Sequence, residues 1–201
     1  MAYLILVRHG ESVWNAKGVW TGLTDIPLSE KGKQESRLAA KALKDFKLDI
    51  AYTSPLKRAK QTLDEIKSVL GLSSLPTFEN KALNERDYGE LTGKNKWEIE
   101  KEVGEEMFLK IRRGWDVPIK GGETLKDVYN RVVPYYQSEI LPKLKKGINV
   151  LIVAHGNSLR ALVKYLENIS DKAVENLEIA TGEIYIYKIN KKGRITSKKI
   201  K

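Results

Sequence analysis

Two apolar runs in this chain end in the same way, and that coincidence constrains the fold more than any other feature. Leu4-Ile5-Leu6-Val7 stops at Arg8-His9-Gly10, and Val150-Leu151-Ile152-Val153-Ala154 stops at His155-Gly156-Asn157. The chain has two histidines in all, and each sits at one of these junctions. A short continuous apolar run closed by a glycine fits a strand buried on both faces, as in a parallel sheet. Such strands deliver the residues that follow them to the carboxyl edge of the sheet, where open α/β folds bind ligands. Here the residues delivered are a cation and a nucleophile or base.

The segments between the two runs read as an alternation of helices and strands. Residues 11–27 carry Gly18, Gly22 and Pro27 with no sustained period and read as a long loop, of a length that is often functional in compact domains. Ser29 is an N-cap candidate for a helix over 29–46, with Leu38, Ala39, Ala42, Leu43 and Phe46 at helical spacing. Residues 50–53 form a short strand. Ser54-Pro55 opens the next helix, with serine as cap and proline at the first helical position, and Gly71 ends it. Residues 76–79 suit another short strand. Residues 80–122 are the least regular part, with short helices expected at 95–103 and 104–112. Thr124, with Asp127 three residues on, opens a long helix that Pro134 should kink and Gly147 close. Asn157 or Ser158 caps the helix after the second apolar run. Residues 183–189 form a strand, and Asn190-Lys191-Lys192-Gly193 turns into a last short one. The pattern implies an α/β three-layer sandwich. Its central sheet is mostly parallel with an antiparallel edge at the C-terminus, and helices cover both faces.

Composition removes several function classes. With 41% hydrophobic and 31% charged residues the chain is an ordinary globular one, and no apolar run approaches the roughly 20 residues of a membrane helix. Zero cysteines exclude disulfides, thiolate metal sites and cysteine nucleophiles. No leader pattern precedes the first strand, so the expected location is cytoplasmic. The net charge of +10 raises nucleic acid as a partner. The lysines are nevertheless scattered, and no docking motif or interleaved aromatic run accompanies them. Arg8, Arg58, Arg86, Arg112 and Arg113 instead lie beside glycine turns, helix starts or acidic motifs, where planar guanidinium forks suit phosphate and carboxylate groups. The expected partner is a small anion, with no nucleic acid and no membrane.

A lone histidine in a small protein is often structural. Two neighbours argue otherwise for His9: the strand end at Gly10 and the cation at Arg8. A buried cation beside an imidazole keeps the ring neutral and nucleophilic at pH 7, as attack on a phosphoryl group requires. His155-Gly156-Asn157 adds a tight turn and a helix N-terminus, an anion site by its free N–H groups. Two histidines also suggest a metal, but no H-x-x-x-H or H-x-x-E spacing exists, so none is expected. Glu85, in Leu83-Asn84-Glu85-Arg86-Asp87-Tyr88-Gly89, is the acid/base candidate, ahead of Glu11. A surface ion pair with Arg86 is its structural alternative.

These residues carry a resemblance. Arg8-His9-Gly10-Glu11-Ser12 with Trp14-Asn15, Val19-Trp20-Thr21-Gly22, Leu28-Ser29-Glu30-Lys31-Gly32 and Thr53-Ser54-Pro55-Leu56-Lys57-Arg58-Ala59 resemble the histidine phosphatase superfamily. Adding Leu83 to Gly89, Arg112-Arg113-Gly114 and Ala154-His155-Gly156-Asn157-Ser158-Leu159-Arg160-Ala161-Leu162 narrows the likeness to cofactor-dependent phosphoglycerate mutases, over residues 3–190. The resemblance implies a single domain over residues 1–201 with a cap at about 80–122. It also implies His9 as phosphorylated nucleophile, with Arg8, Arg58 and His155 around the phosphoryl group and Glu85 as proton donor and acceptor. Ser12, Asn15, Thr21, Gly22, Gly156 and Asn157 would contact phosphate or substrate. Tyr88, Lys96, Arg112 and Arg113 would hold the remote phosphate and carboxylate. The implied activity interconverts 3- and 2-phosphoglycerate, primed by 2,3-bisphosphoglycerate without metal, in a homodimer or homotetramer. A phosphatase of the same superfamily acting on small monoesters is the alternative. The chain departs from the longer mutases in having only Gly114 to Glu123 between Arg113 and Thr124, and in ending soon after the 184–189 strand. Both departures weaken water exclusion.

Overall fold

A computed structural model describes residues 1–201. Six strands make one sheet: β1 (Ala2–Arg8), β2 (Ile50–Thr53), β3 (Thr77–Glu79), β4 (Val150–Ala154), β5 (Ile184–Ile189) and β6 (Ile195–Ile200), in the order β3-β2-β4-β1-β5-β6. The first four pair in parallel, while β5 runs antiparallel to β1 and β6 antiparallel to β5. The antiparallel edge is therefore two strands wide. The chain's last residue takes part in it, since Lys201 and Ile184 exchange backbone hydrogen bonds.

The two central strands are apolar throughout because both sheet faces are covered. Leu4, Leu6, Val150 and Ile152 face one core, with α6 (Leu125–Tyr135) and α8 (Gly156–Glu167) over it. Ile5, Val7, Leu151 and Val153 face a second core, under α2 (Glu30–Ala42) and α3 (Lys57–Leu70). Alternation of side chains along a strand serves two apolar layers at once, which is what the continuous runs require. A third, small core of Trp20, Tyr88, Leu91, Ile99, Phe108 and Ile119 lies within and beside the 80–122 segment. That segment carries α4 (Lys96–Val103) and α5 (Glu105–Arg113), at the expected places. No helix is long and apolar enough to cross a membrane.

Several boundaries differ from the sequence expectation, each for a local reason. The 11–27 loop contains a one-turn helix, α1 (Val13–Ala16), closed by a reciprocal Ser12–Asn15 capping box too short to register as a period. Helix α2 stops at Ala42, four residues early, because the chain tightens: Leu43 N–H donates to Ala40 O and Phe46 N–H to Leu43 O, both at 2.9 Å. Leu38, one of the apolar residues at helical spacing, is 64% exposed. Helix α3 begins at Lys57, later than the Ser54-Pro55 start, although Ser54 Oγ still accepts from Leu56 N–H at 3.3 Å while it also bonds His155. The helix from Thr124 is broken as expected near Pro134. The ring removes an N–H from the ladder, the next turn widens into a π-turn over residues 136–140, and α7 (Leu141–Lys145) resumes. Helix α8 starts at Gly156, earlier than Asn157 or Ser158. His155 is its cap residue, and Ser158 Oγ accepts from His155 N–H at 3.1 Å.

Candidate active site

Parallel pairing of β1 with β4 aligns Arg8 with Ala154, so the next residue on each strand emerges at the same edge. His9 N–H donates to Ala154 O at 2.9 Å, and the His9 and His155 rings stand 4.9 Å apart, edge to face. His9 Nδ1 lies 2.6 Å from Gly10 O. A carbonyl only accepts, so Nδ1 carries the proton and the neutral ring keeps its lone pair on Nε2. His155 Nε2 lies 2.7 Å from Ser54 Oγ, while its Nδ1 is buried without a partner. A serine that reads as a helix cap thus orients the second imidazole.

Both rings are buried, and burial holds both imidazoles well below their ordinary pKa, with Arg58 and then Arg8 (for His9) adding to the effect. His9 is therefore neutral at pH 7. Arg58 is buried and Arg8 half-buried, and their removal from water lowers the pKa of both, an effect the Glu85 carboxylate opposes. Arg58 donates to Thr24 O at 2.9 Å and Gly22 O at 2.8 Å, pinning the 20–24 turn beside the rings. Arg8 donates to Ile179 O at 2.5 Å, and its Nε is left without a partner.

Glu85 is buried at 8% exposure, and its Oε1 accepts from Arg86 N–H at 2.8 Å and Asn157 N–H at 3.1 Å. Its backbone is held by Arg131 of α6. That guanidinium donates to Ala82 O, Asn84 O and Glu85 O and makes a two-pronged pair with Glu123. Glu85 is thus no surface ion-pair residue. Arg86 turns away, its guanidinium 4.6 Å over the Tyr88 ring and donating to Ile111 O.

A cleft at this edge gathers the expected residues. Arg8, His9, Asn15, Thr21, Gly22 and Arg58 line it from the sheet side and Glu85, Tyr88, Lys96, Arg112 and Arg113 from the 80–122 segment; Gly156 and Asn157 come from α8. His155 lies directly behind His9, completely buried. Ser12 does not reach the cleft wall; it is buried at the start of α1, in the capping box with Asn15. Trp20, Arg160, Leu177, Glu178 and Ile179 also line the cleft and were not anticipated. Arg160 sits within the Asn157-to-Leu162 motif, which could have flagged it. Residues 177–179 carry no local signal; they arrive because Arg160 Nε donates to Leu177 O at 2.8 Å and Arg8 to Ile179 O.

Six cations face two carboxylates in the cleft, and four of its eighteen lining residues are hydrophobic, so the fitting ligand is a polar anion. Burial, followed by Arg112 and Arg8, brings the Lys96 ammonium down to about 8. His9, Glu85 and His155 do come within 4.8 Å of one another, a juxtaposition that motif spacing does not reveal. Yet the guanidiniums of Arg8 and Arg58 adjoin the group. That surrounding field suits an anion and opposes a divalent cation. Arg8 Nε and His155 Nδ1 are buried without a partner, and a guanidinium N–H such as the former is a donor of the kind that phosphoryl oxygens accept from.

Comparison with known proteins agrees with this geometry. The family model of the histidine phosphatase superfamily (branch 1) matches residues 4–199. A Bradyrhizobium diazoefficiens protein named 2,3-bisphosphoglycerate-dependent phosphoglycerate mutase is 50% identical over 97% of this chain and 95% of its own length. One of the same name from a Chelativorans strain is 49% identical over 98% of this chain and 97% of its own length. Among solved structures, Bacillus stearothermophilus YhfR superposes with a TM-score of 0.81 at 28% identity, covering 97% of this chain and 94% of its own. The alpha-ribazole phosphatase of Shigella flexneri does so at 0.79 and 25% identity, covering 94% and 92%. With two strand-end histidines, their arginines and a family match over nearly the whole length, the chain belongs to the histidine phosphatase superfamily, branch 1.

Proposed function

We propose that this chain is a 2,3-bisphosphoglycerate-dependent phosphoglycerate mutase interconverting 3-phosphoglycerate and 2-phosphoglycerate. The observation that carries the reading is His9: a buried neutral imidazole with Nε2 free, Arg8 and Arg58 beside it and Glu85 within 4.8 Å. Full-length relatives of that name at about 50% identity support the substrate. When bound, 2,3-bisphosphoglycerate supplies the phosphoryl group that charges His9. His9 Nε2 attacks phosphorus in line as the P–O bond breaks, Glu85 gives its proton to the departing oxygen, and the reverse step returns the phosphoryl group to the other hydroxyl. Arg8, Arg58 and the His155 Nδ1–H stabilise the charge that spreads over the phosphoryl oxygens. Asn15, Thr21, Gly22, Gly156 and Asn157 position that group, and Tyr88, Lys96, Arg112 and Arg113 hold the remote end from the 80–122 cap.

No step requires a metal, a reading supported by the cationic surroundings of the two rings. Cytoplasmic location and self-association to a dimer or tetramer belong to the same proposal. The exposed edge strand β3, with Phe78 at 50% exposure, supports the latter. A phosphatase of the same family is the second reading, favoured by the open cleft and by the likeness to the Shigella enzyme. A coupled enolase assay run with and without the bisphosphate, with released phosphate followed in parallel, separates the two. Primer-dependent isomerisation that vanishes in His9→Ala is the expected result; dominant phosphate release selects the phosphatase.

A further inference from the structure

The cap arginines are not free. Arg113 Nη2 lies 2.6 Å from Glu178 Oε2, and Arg112 Nη2 lies 3.9 Å from Glu178 Oε1, so one carboxylate spans both. This is an acid in a cleft built for anions. Its neighbours in sequence are fixed: Leu177 O accepts from Arg160 and Ile179 O from Arg8. The backbone is thus anchored at both sides of Glu178, while its side chain is 55% exposed. Only side-chain rotation is needed to withdraw the carboxylate, and an exposed ion pair of this kind is weak.

We infer that Glu178 is a displaceable stand-in for the second anionic group of the substrate, occupying Arg112 and Arg113 until a carboxylate or phosphate takes its place. The inference rests on the mutase reading for the identity of that anion. It adds a specificity element that acts through the two arginines rather than on the reacting atoms. A substrate with two anionic groups exchanges one carboxylate for another and keeps both arginines paired. A simple monoester has nothing to exchange, so it leaves Glu178 in place and docks at the His9 end alone.

The test is Glu178→Gln, which keeps shape and removes charge, beside Glu178→Asp, which keeps charge on a shorter arm. The expected KM for 3-phosphoglycerate falls about two- to fivefold in Glu178→Gln, the range of an exposed ion pair. Isomerisation kcat and the KM for phenyl phosphate hydrolysis stay within about twofold, and the difference between wild type and variant shrinks at high salt. Glu178→Asp falls between the two. An unchanged or raised phosphoglycerate KM overturns the inference. Equal falls for both substrates do so too, because they mark general repulsion rather than occupancy of one subsite. If the wild type releases phosphate without isomerising, the mutase reading fails instead. Calorimetric binding of 2,3-bisphosphoglycerate and of phenyl phosphate to His9→Ala, with and without Glu178→Gln, then decides the inference independently: it stands if only the bisphosphate tightens and falls otherwise.

Discussion

His9 and His155 are neutral because burial and two guanidiniums make the imidazolium costly, and that has consequences for pH. Their folded pKa lies below the unfolded value near 6.5, so below about pH 6.5 the unfolded chain binds protons that the folded chain refuses. Stability contributed by the two rings is complete above about pH 7 and is lost as the pH falls. The slope reaches about 1.4 kcal/mol per pH unit for each ring. Urea midpoints at pH 5.5 and 7.5 measure it, and His155→Gln should make the dependence shallower. Lys96 sets the other side. Brought down to about 8 by burial and then by Arg112 and Arg8, it loses its charge as the pH rises through that value. kcat/KM for phosphoglycerate, which reports the free enzyme, should therefore fall above about pH 8. In Lys96→Met that limb should disappear along with part of the affinity; a limb that persists unchanged assigns the titration elsewhere.

At the scale of elements, the site is a matter of how closely loops can approach and what ties them down. Gly10 lies two residues beyond β1, against the first turn of α2: a Cβ there would stand 2.1 Å from Gly32 O, a backbone atom that cannot swing aside. Gly10→Ala should cost on the order of 3 kcal/mol and displace α2, measurable as a lowered urea midpoint with a loss of activity larger than a surface change gives. Arg131 does the corresponding work for Glu85. It joins α6 to three consecutive-turn carbonyls at residues 82–85 while pairing with Glu123. Arg131→Met should lose about 2–3 kcal/mol of stability. It should also lower kcat more than it raises KM, because the carboxylate loses its placement rather than the cleft its cations. Equal loss from Glu123→Gln would show that the pair acts as a unit.

For the whole molecule, much was legible where the physical signal is local. Uninterrupted apolar runs at residues 4–7 and 150–154 demand cover on both faces, and so specify a three-layer α/β sheet. Glycine and histidine at their ends mark the reactive edge. Thr124 with Asp127, the interruption near Pro134, and the two short helices before Arg113 could all be read from neighbouring residues. Helix ends that depend on tertiary partners could not. Ser54 accepts from Leu56 N–H as a serine before a helix can, but its contact with His155, a residue 101 positions away, has no local signal. Ser12 likewise serves its own helix turn, not the cleft. Residues 177–179 have no motif at all; they enter the cleft because guanidiniums from β1 and α8 bind their carbonyls. The amino-acid order by itself determined which groups are available and the period of the elements that carry them, since both rest on contacts a few residues apart. Only the tertiary structure decided that His9, Glu85 and His155 meet within 4.8 Å, that the rings are neutral, and that Glu178 already holds the cap arginines. Distance, burial and competition for a charged partner arise between segments far apart in the chain, and no local pattern encodes them.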